Sequence, residues 1–462
     1  MPVLARRRIQ AMLDDLAPLL DGGKGRDMVR RLRRKEVEQV LPAEMELALL
    51  WALAKTGNLQ VEPEWSPGGK RPDAYSDMLI PGKGCAIEIT APSDNAISGE
   101  ADMDRIARQI AACVDEVKKG VGAFLYFTFL ETNGFRDGQY YRYRLAPADY
   151  ELTERASASI RAWAATPMQS PLEFRDGTMQ VNVIRKERRQ VRYHNIHSSM
   201  PAETHSLNDN PLFQLLERKM KQLRDVPAGA LRIIFLADAG SSLLRDVYRS
   251  DDANRGQMRK SGSDIIWHFL RGRGREIDAV VVFSPYTEYS TFPDPFGRAP
   301  QRWNVSFFGN DNLPDIPEAL HDVAAALPPP HYQGYQARSL FRQGSFTPKS
   351  RGQYLGMSWT IGKDGRRSMR LPARMLLDLL AGRLSEDSFR SMIDGGGRQS
   401  NIFKLWLEHG YTISGAEMLP RDIDEDDDHL VLHFTEDAAA SEFRLPGDGK
   451  TGSDPGEETS AG

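Results

Sequence analysis

The sequence predicts an α/β fold built around a mixed sheet. A helix-forming run at residues 44–57, EMELALLWALAKTG, is followed by three short strand-like segments that turn signals separate. Two helix–strand pairs come later, at residues 210–238 and 264–285. Alternation of helices with apolar strands is typical of α/β folds in which parallel strands join the sheet. We therefore expect the later strands to extend the sheet that the first three strands begin.

The first elements follow in a clear order. Residues 1–40 are helical in pattern and rich in arginine, and the run at residues 30–35 favours a solvated helix face over a phosphate-contacting patch. The helix at residues 44–57 ends at Gly57, a residue type common just beyond helix ends. The segments NLQVEPEW, RPDAYSDMLI and CAIEITAPS then predict three strands, with turns at residues 66–69 and 81–84.

A second helix and a fourth strand are predicted next. Residues 100–119 have apolar side chains at helical spacing, and AFLYFTFL at residues 123–130 indicates a buried strand. The predicted order is therefore helix, three strands, helix, strand. Residues 130–205 are polar, with a strand predicted at residues 179–184.

The chain divides by composition into five parts. After the basic segment at residues 1–40, residues 41–285 form the predicted α/β domain. A segment rich in Pro and Gly at residues 286–352 indicates a connection, and residues 353–446 predict a small α+β module. Residues 447–462 contain almost no apolar side chain, which is typical of a disordered tail.

Composition excludes several classes of protein. The 60 Lys and Arg residues against 64 Asp and Glu residues give a formal charge of −4, so any nucleic-acid binding must come from local basic patches. Two cysteines, Cys85 and Cys113, exclude a disulfide scaffold and a cysteine-rich zinc module. Every apolar run is shorter than a membrane helix, and no secretory signal pattern is present. We expect a cytoplasmic protein with no membrane partner.

Carboxylates concentrate in the first part of the predicted domain. Glu44 and Glu46 lie on the helix, Asp73 on the second strand and Glu88 on the third. Side chains alternate along a strand, so Glu88 and Thr90 share one face of the sheet. Carboxylates on adjacent strands can converge on a hard divalent cation such as Mg²⁺, which can activate water for phosphodiester hydrolysis.

These residues resemble a known pattern. A helix-borne Glu, then Gly-Lys-Arg-Pro-Asp at residues 69–73, then Glu-Ile-Thr at residues 88–90, is similar to the PD-(D/E)XK nuclease superfamily, the restriction-endonuclease-like fold. The resemblance covers about residues 41–130 and implies an αβββαβ core. It also implies hydrolysis of DNA, less often RNA, with Mg²⁺ or Mn²⁺. Asp73 and Glu88 would be metal ligands, and either Glu44 or Glu46 the helix glutamate.

The sequence departs from the family pattern at one position, because Thr90 stands where the family has a lysine. A hydroxyl cannot supply the cationic charge that helps to stabilise the reacting phosphate. Candidate replacements are Lys70, Lys118 and Lys219. The departure keeps open a degenerate, non-cleaving protein that acts as a nucleic-acid or protein-binding scaffold.

Basic and polar residues within and around the motif predict contacts to nucleic acid. Helix residues Arg105 and Gln109 are expected beside the cleft, together with two arginine-rich runs at residues 185–192 and 271–275. The predicted nucleic-acid contacts are Lys70, Arg71, Arg105, Gln109, Arg188, Arg189, Arg271 and Arg273.

The sequence as a whole predicts a Mg²⁺-dependent nuclease that acts on DNA. Asp73 and Glu88 would hold the metal, Glu44 or Glu46 would support it, and a relocated lysine, with Lys219 among the candidates, would assist. A role in bacterial defence or DNA processing is an expectation by analogy. The C-terminal module is expected to bind a protein partner or to select the target.

Overall fold

The structure is a computed structural model, and the residues that it describes are 3–34, 36–64, 71–80, 82–93, 100–136, 139–187, 196–198, 206–248, 260–288, 301–309, 313, 317–342, 354, 357–362, 365–393 and 401–437. The Arg-rich residues 188–189, Lys70 and the tail at 447–462 lie outside these ranges.

The helices among the described residues are α1 (Arg6–Leu16), α2 (Gly22–Leu32), α3 (Val37–Thr56), α4 (Glu100–Val117), α5 (Glu154–Ala165), α6 (Pro211–Gln222), α7 (Ser242–Arg245), α8 (Gly262–Arg273), α9 (Pro317–Ala326), α10 (Gly334–Arg342), α11 (Ala373–Leu380), α12 (Glu386–Ile393) and α13 (Ile402–Glu408). The strands are β1 (Leu59–Val61), β2 (Ala74–Ile80), β3 (Lys83–Thr90), β4 (Leu125–Phe129), β5 (Glu131–Arg136), β6 (Gln139–Arg144), β7 (Leu172–Asp176), β8 (Met179–Arg185), β9 (Ile196–Ser198), β10 (Leu231–Ala237), β11 (Ala279–Thr287), β12 (Gln301–Gly309), β13 (Ser358–Ile361), β14 (Arg367–Pro372), β15 (Tyr411–Met418) and β16 (His429–Glu436).

The main sheet has six strands in the order β1-β2-β3-β10-β11-β12. Strands β1, β2 and β3 pair with one another in antiparallel fashion, whereas β3, β10 and β11 pair with one another in parallel. Strand β12 closes the sheet antiparallel to β11. The α/β class with a mixed sheet, predicted from the sequence, is thereby confirmed.

Helices cover both faces of the main sheet. On one face, Ile87 and Ile89 of β3 pack in a core shared with α1, α2, α3 and α9. On the other face, Ala86 of β3 packs with apolar side chains of α6 and α8. Because neither face of β3 meets solvent, a charged side chain on this strand is buried, which matters for Glu88.

A second sheet, in the order β7-β8-β4-β9, lies between β3 and α6 in the chain. It packs with α4 and α5 around its own core, which includes Phe127, Val181, Ile110 and Ile160. The expectation that residues 100–130 supply the second helix and fourth strand of the main sheet is therefore wrong. Helix α6 and strand β10 take that place, because β3 pairs in parallel with β10.

The segment at residues 286–352 is more than the predicted connection. It carries β12 and the helices α9 and α10, which belong to the main sheet and its core. Phe308 of β12 is buried, and the Trp303 indole donates a hydrogen bond to the Pro328 carbonyl at 2.8 Å. Residues 286–352 are rich in Pro, Gly and aromatic residues, and for this reason their sequence pattern indicated a connection instead of these elements.

The chain divides into two compact units. The first comprises residues 1–290, 299–353 and 423–426, and the second comprises residues 291–298, 354–422 and 427–462. Within the second unit a sheet in the order β13-β14-β16-β15 packs around Trp406 and Phe434. Across the described part of the chain, no helix combines the length and apolar character needed to cross a bilayer.

Candidate functional site

The strand pair β2–β3 places Asp73 beside Glu88. Asp73 immediately precedes β2, whose first residue Ala74 pairs with Ile87, so the next position outward lies opposite Glu88. Asp73 Oδ2 accepts a hydrogen bond from the Ile89 amide at 2.7 Å. This bond fixes the orientation of the Asp73 carboxylate against the edge of β3.

Helix α6 brings a cation to these two carboxylates. Leu212, Leu216 and Met220 anchor the helix in the apolar core, and Lys219 points at the sheet from the same helix. Lys219 Nζ lies 2.6 Å from Glu88 Oε2 and 3.4 Å from Asp73 Oδ2. The site therefore joins two carboxylates of one strand pair with a lysine that lies 131 residues beyond Glu88 in the sequence.

The charges within this cluster depend strongly on one another. Burial, and secondly the charge of Asp73, raise the pKa of Glu88 to about 8, although Lys219 opposes the shift. Burial lowers the pKa of Lys219, but Asp73 and Glu88 outweigh it, so the pKa of the ammonium is raised. Glu88 is fully buried, and the Lys219 ammonium is the group that compensates its charge.

Glu46, one of the two alternatives for the helix glutamate, lies at the border of this cluster. Arg31 of α2 donates two hydrogen bonds to the Glu46 carboxylate, from Nη1 to Oε2 at 2.6 Å and from Nη2 to Oε1 at 2.7 Å. Burial raises the pKa of Glu46, Arg31 opposes this, and Asp73 adds to it. The charges of both Asp73 and Lys219 therefore influence the pKa of Glu46.

Glu44 lies elsewhere. Its Oε1 accepts a hydrogen bond from the Leu4 amide at 2.6 Å, and the side chain is fully buried. Burial raises the pKa of Glu44 to about 7. The structure therefore associates Glu46, and not Glu44, with Asp73, and Glu44 instead ties the N-terminal segment to α3.

The donor set suits a hard divalent cation. Asp73 Oδ2 and Glu88 Oε2 approach the same Nζ, so they are closer together than the roughly 8 Å that would exclude a shared ion. Glu88 Oε1 is buried and has no hydrogen-bond partner. Among the described residues, no group of three or more His, Cys, Asp or Glu side chains forms a metal site. Two carboxylates with retained waters are the set that Mg²⁺ accepts.

The other residues of the predicted motif are placed as follows. Thr90 is half-buried at the end of β3, opposite Leu236 of β10. Lys118 donates a hydrogen bond to the Thr166 carbonyl at 2.5 Å, beside the second sheet. Arg71 forms an exposed ion pair with Glu64 at 2.9 Å. Of the three candidate lysines, Lys219 is the one that the described residues bring to Asp73 and Glu88.

Arg105 and Gln109 do not line this cluster. The Gln109 amide donates to the Tyr150 carbonyl at 3.3 Å and accepts from the Leu152 amide at 2.9 Å. Arg105 also donates to the Tyr150 carbonyl. Both side chains hold the loop that precedes α5, because α4 belongs to the second sheet and its core.

The two remaining arginines in the predicted set lie at the end of α8. Arg271 is exposed, and Arg273 forms an ion pair with Glu217 of α6 at 2.9 Å. This ion pair joins the end of α8 to α6, the helix that carries Lys219. Arg188 and Arg189 lie outside the described residues.

Arg31 is the residue near the site that sequence reasoning missed. Arg31 belongs to the basic run at residues 30–35. The sequence pattern does not show which residues of this run form ion pairs and which are solvated. Only the packing of α2 on α3 distinguishes Arg31, by bringing it to Glu46.

Comparison with known proteins gives no relative for this chain. No family model matches it, and neither curated proteins nor solved structures yield a match. Function is therefore inferred from the geometry of Asp73, Glu88 and Lys219.

Proposed function

We propose that the protein is a metal-dependent nuclease that hydrolyses phosphodiester bonds of DNA. The observation that carries the proposal is the meeting of Asp73, Glu88 and Lys219, with one ammonium within 3.4 Å of both carboxylates. A buried Lys beside two strand-borne carboxylates is a costly arrangement for stability alone. Strongly shifted groups of this kind concentrate at functional sites.

The arrangement of the main sheet supports the same proposal. Helix α3, strands β1 to β3, helix α6 and strand β10 follow one another in the αβββαβ order of the PD-(D/E)XK superfamily, with the second sheet inserted before α6. Lys219 on α6 then supplies the cation that Thr90 cannot. In this proposal the lysine that the family carries on β3, at the position of Thr90, is replaced by a lysine on the neighbouring helix α6.

Each residue has a chemical task in this proposal. Asp73 and Glu88 would hold a divalent cation, which supplies activation of water and stabilisation of charge on the phosphate. Lys219 stabilises negative charge as it develops on the phosphate oxygens. The Ile89 amide holds Asp73 in place, and Arg31 holds Glu46. Because burial raises the pKa of Glu88 to about 8, binding of the cation there would release a proton near neutral pH.

A non-cleaving scaffold is the second candidate, and one distance favours it. Lys219 Nζ is 2.6 Å from Glu88, so its ammonium already neutralises the carboxylate that a metal would neutralise. In this case the fold would bind nucleic acid or protein without hydrolysis. Such a protein would gain nothing from Mg²⁺ or Mn²⁺.

Incubation with plasmid, linear duplex, single-stranded DNA and RNA distinguishes the two candidates. A nuclease cleaves at least one substrate with Mg²⁺ or Mn²⁺ and loses this activity with a chelator. The variants Asp73→Asn and Glu88→Gln should remove cleavage, whereas Asp77→Asn, at an exposed position of β2, should retain it. Metal-independent binding without cleavage would support the scaffold.

We extend the proposal to a setting in DNA processing or bacterial defence, and to a protein partner for the second unit. Support for the setting is analogy with the superfamily, and support for the partner is the exposed apolar side chains of that unit. Leu377 and Leu380 of α11 are 61% and 83% exposed, on one face of the helix.

A further inference from the structure

Helix α2 is strongly basic in a chain whose overall charge is −4. Residues 22–34 contain six Lys and Arg residues and a single acidic residue, Asp27. Asp21 caps the start of the helix by accepting hydrogen bonds from the Gly23 and Lys24 amides. The positive charge of this helix therefore departs from the average of the chain, which is the situation in which a local patch can bind a polyanion.

Residues 26–33 differ in exposure between the two faces of α2. Met28 and Leu32 are buried against the core, whereas Arg26, Arg30 and Arg33 are exposed. These three arginines follow at intervals of four and three residues, so they form one stripe along the helix. With a rise of about 1.5 Å per residue, the stripe is about 10 Å long. Arg33 and Arg34 directly follow Leu32, the last residue of α2, and Arg34 is also exposed.

Charge pairing divides the same residues in two groups. Arg31 is used by Glu46 and Asp27, and Arg30 also contacts Asp27. Arg26, Arg33 and Arg34 form no ion pair with any other described residue. These three guanidinium groups are exposed, whereas Arg30 pairs with Asp27 and Arg31 pairs with Glu46.

Position connects this stripe to the site. Arg31 follows Arg30 of the stripe in the chain, pairs with Glu46 and interacts electrostatically with Asp73. Two adjoining surface grooves, of about 700 and 560 Å³, share Arg26, Val29 and Arg33 in their walls. The second groove runs between α1 and α2. The stripe and these grooves therefore lie along the helix that also supplies Arg31 to Glu46.

We propose that the stripe formed by Arg26, Arg30, Arg33 and Arg34 docks the phosphate backbone of a DNA duplex and so orients it toward Asp73, Glu88 and Lys219. The inference rests on the proposed function. A duplex strand carries one phosphate per 3.4 Å of axis, so a stripe of about 10 Å matches about three phosphates. Guanidinium groups suit phosphate because they donate two hydrogen bonds in a fixed fork.

The test is the salt dependence of duplex binding, measured by fluorescence anisotropy with the full chain and a chelator, so that cleavage does not interfere. The stripe variant combines Arg26→Gln, Arg33→Gln and Arg34→Gln. The control variant removes the same charge at three other exposed arginines, with Arg155→Gln, Arg175→Gln and Arg224→Gln. Thermal melting of both variants checks that they fold.

Removal of three phosphate contacts should reduce the slope of log K against log salt by about 2 to 3, and should weaken binding at least tenfold near 50 mM salt. The control variant should keep the wild-type slope. A stripe variant with the wild-type slope, or a wild-type chain that does not bind duplex DNA, would overturn the inference. Failure of the nuclease proposal would give a different result. The wild type would bind duplex DNA with the expected salt dependence and the stripe variant would show the reduced slope, but no metal-dependent cleavage would be seen.

Discussion

Lys219 Nζ lies 2.6 Å from Glu88 Oε2, although 131 residues separate the two positions in the chain. The Glu88 side chain is fully buried and that of Lys219 is 13% exposed, so the pair is largely removed from water. The inserted second sheet accounts for most of the separation. The contact exists because β3 and β10 pair in parallel and α6 packs in the same apolar core as Ala86 of β3 and Ile234 of β10.

Removal of the Lys219 charge should destabilise the fold in a pH-dependent way. Without the ammonium, the pKa of Glu88 rises further, because burial and Asp73 already raise it and Lys219 is what opposes them. A carboxyl with a raised folded pKa contributes stability below its unfolded pKa and loses it as pH rises. We expect Lys219→Met to lower the free energy of unfolding by about 3 kcal/mol at pH 9 and by clearly less at pH 6.

Urea denaturation at the two pH values measures this difference. Lys221→Met on the exposed side of α6 is the matched control and should change stability by less than about 0.5 kcal/mol. Equal destabilisation of Lys219→Met at pH 6 and pH 9 would mean that Glu88 does not depend on Lys219 for its charge.

Glu44 should make the stability of the protein fall between pH 5 and pH 8. Its pKa is raised from 4.5 to about 7 by burial, so the folded state binds the proton more tightly than the unfolded chain. The contribution is complete below the unfolded pKa and is lost as pH rises through 7. One pKa unit corresponds to about 1.36 kcal/mol, so we expect a loss of about 3 kcal/mol from this residue.

Comparison of wild type with Glu44→Gln isolates that contribution, since glutamine can still accept the Leu4 amide hydrogen bond and has no charge to titrate. The variant should show a flatter profile of unfolding free energy against pH. Glu36→Gln, at an exposed position before α3, should keep the wild-type profile. Identical profiles for wild type and Glu44→Gln would show that Glu44 is not the source of this pH dependence.

The Arg31–Glu46 pair should be coupled in stability. Arg31→Met leaves a largely buried carboxylate that is exposed to the charge of Asp73, so we expect a loss of about 2 kcal/mol. Arg30→Met, one position away and 68% exposed, should have little effect. A double-mutant cycle with Glu46→Gln measures the coupling, and a coupling energy indistinguishable from zero would show that the two charges act independently.

Lys219 should also matter for catalysis. Loss of one group that stabilises charge on the reacting phosphate costs about 100-fold to 1,000-fold in rate. We therefore expect cleavage by Lys219→Ala to be at least about 100-fold slower than wild type, with Lys221→Ala unchanged. Full activity of Lys219→Ala would remove Lys219 from the mechanism and leave Thr90 without a substitute.

Local features of the fold were predictable from the sequence. The strand β3 and its period of two correctly place Ile87 and Ile89 in one core and Glu88 on the opposite face. The helix at residues 44–57 and the pairs formed by α6 with β10 and α8 with β11 are also present. Each of these predictions depends on side chains that are neighbours in the chain, which is where periodicity carries information.

Pairing between distant strands was not predictable. The sequence indicates that residues 125–129 form a strand, yet periodicity cannot show that β4 pairs with β8 and β9 instead of with β3. The same limit applies to the site. Glu44 and Glu46 share one helix, and their different environments depend on Leu4 and Arg31, residues that the pattern of the helix does not report.

The most direct test of the central claim is the rate at which a labelled DNA duplex is cleaved with Mg²⁺ or Mn²⁺ by wild type, Asp73→Asn and Asp77→Asn at equal concentration. Asp73 and Asp77 lie on the same short segment, so both substitutions remove one carboxylate charge from the same part of the chain. If Asp73, Glu88 and Lys219 form a nuclease site, wild type and Asp77→Asn cleave alike and Asp73→Asn is at least about 100-fold slower. Equal cleavage by all three proteins would contradict the claim.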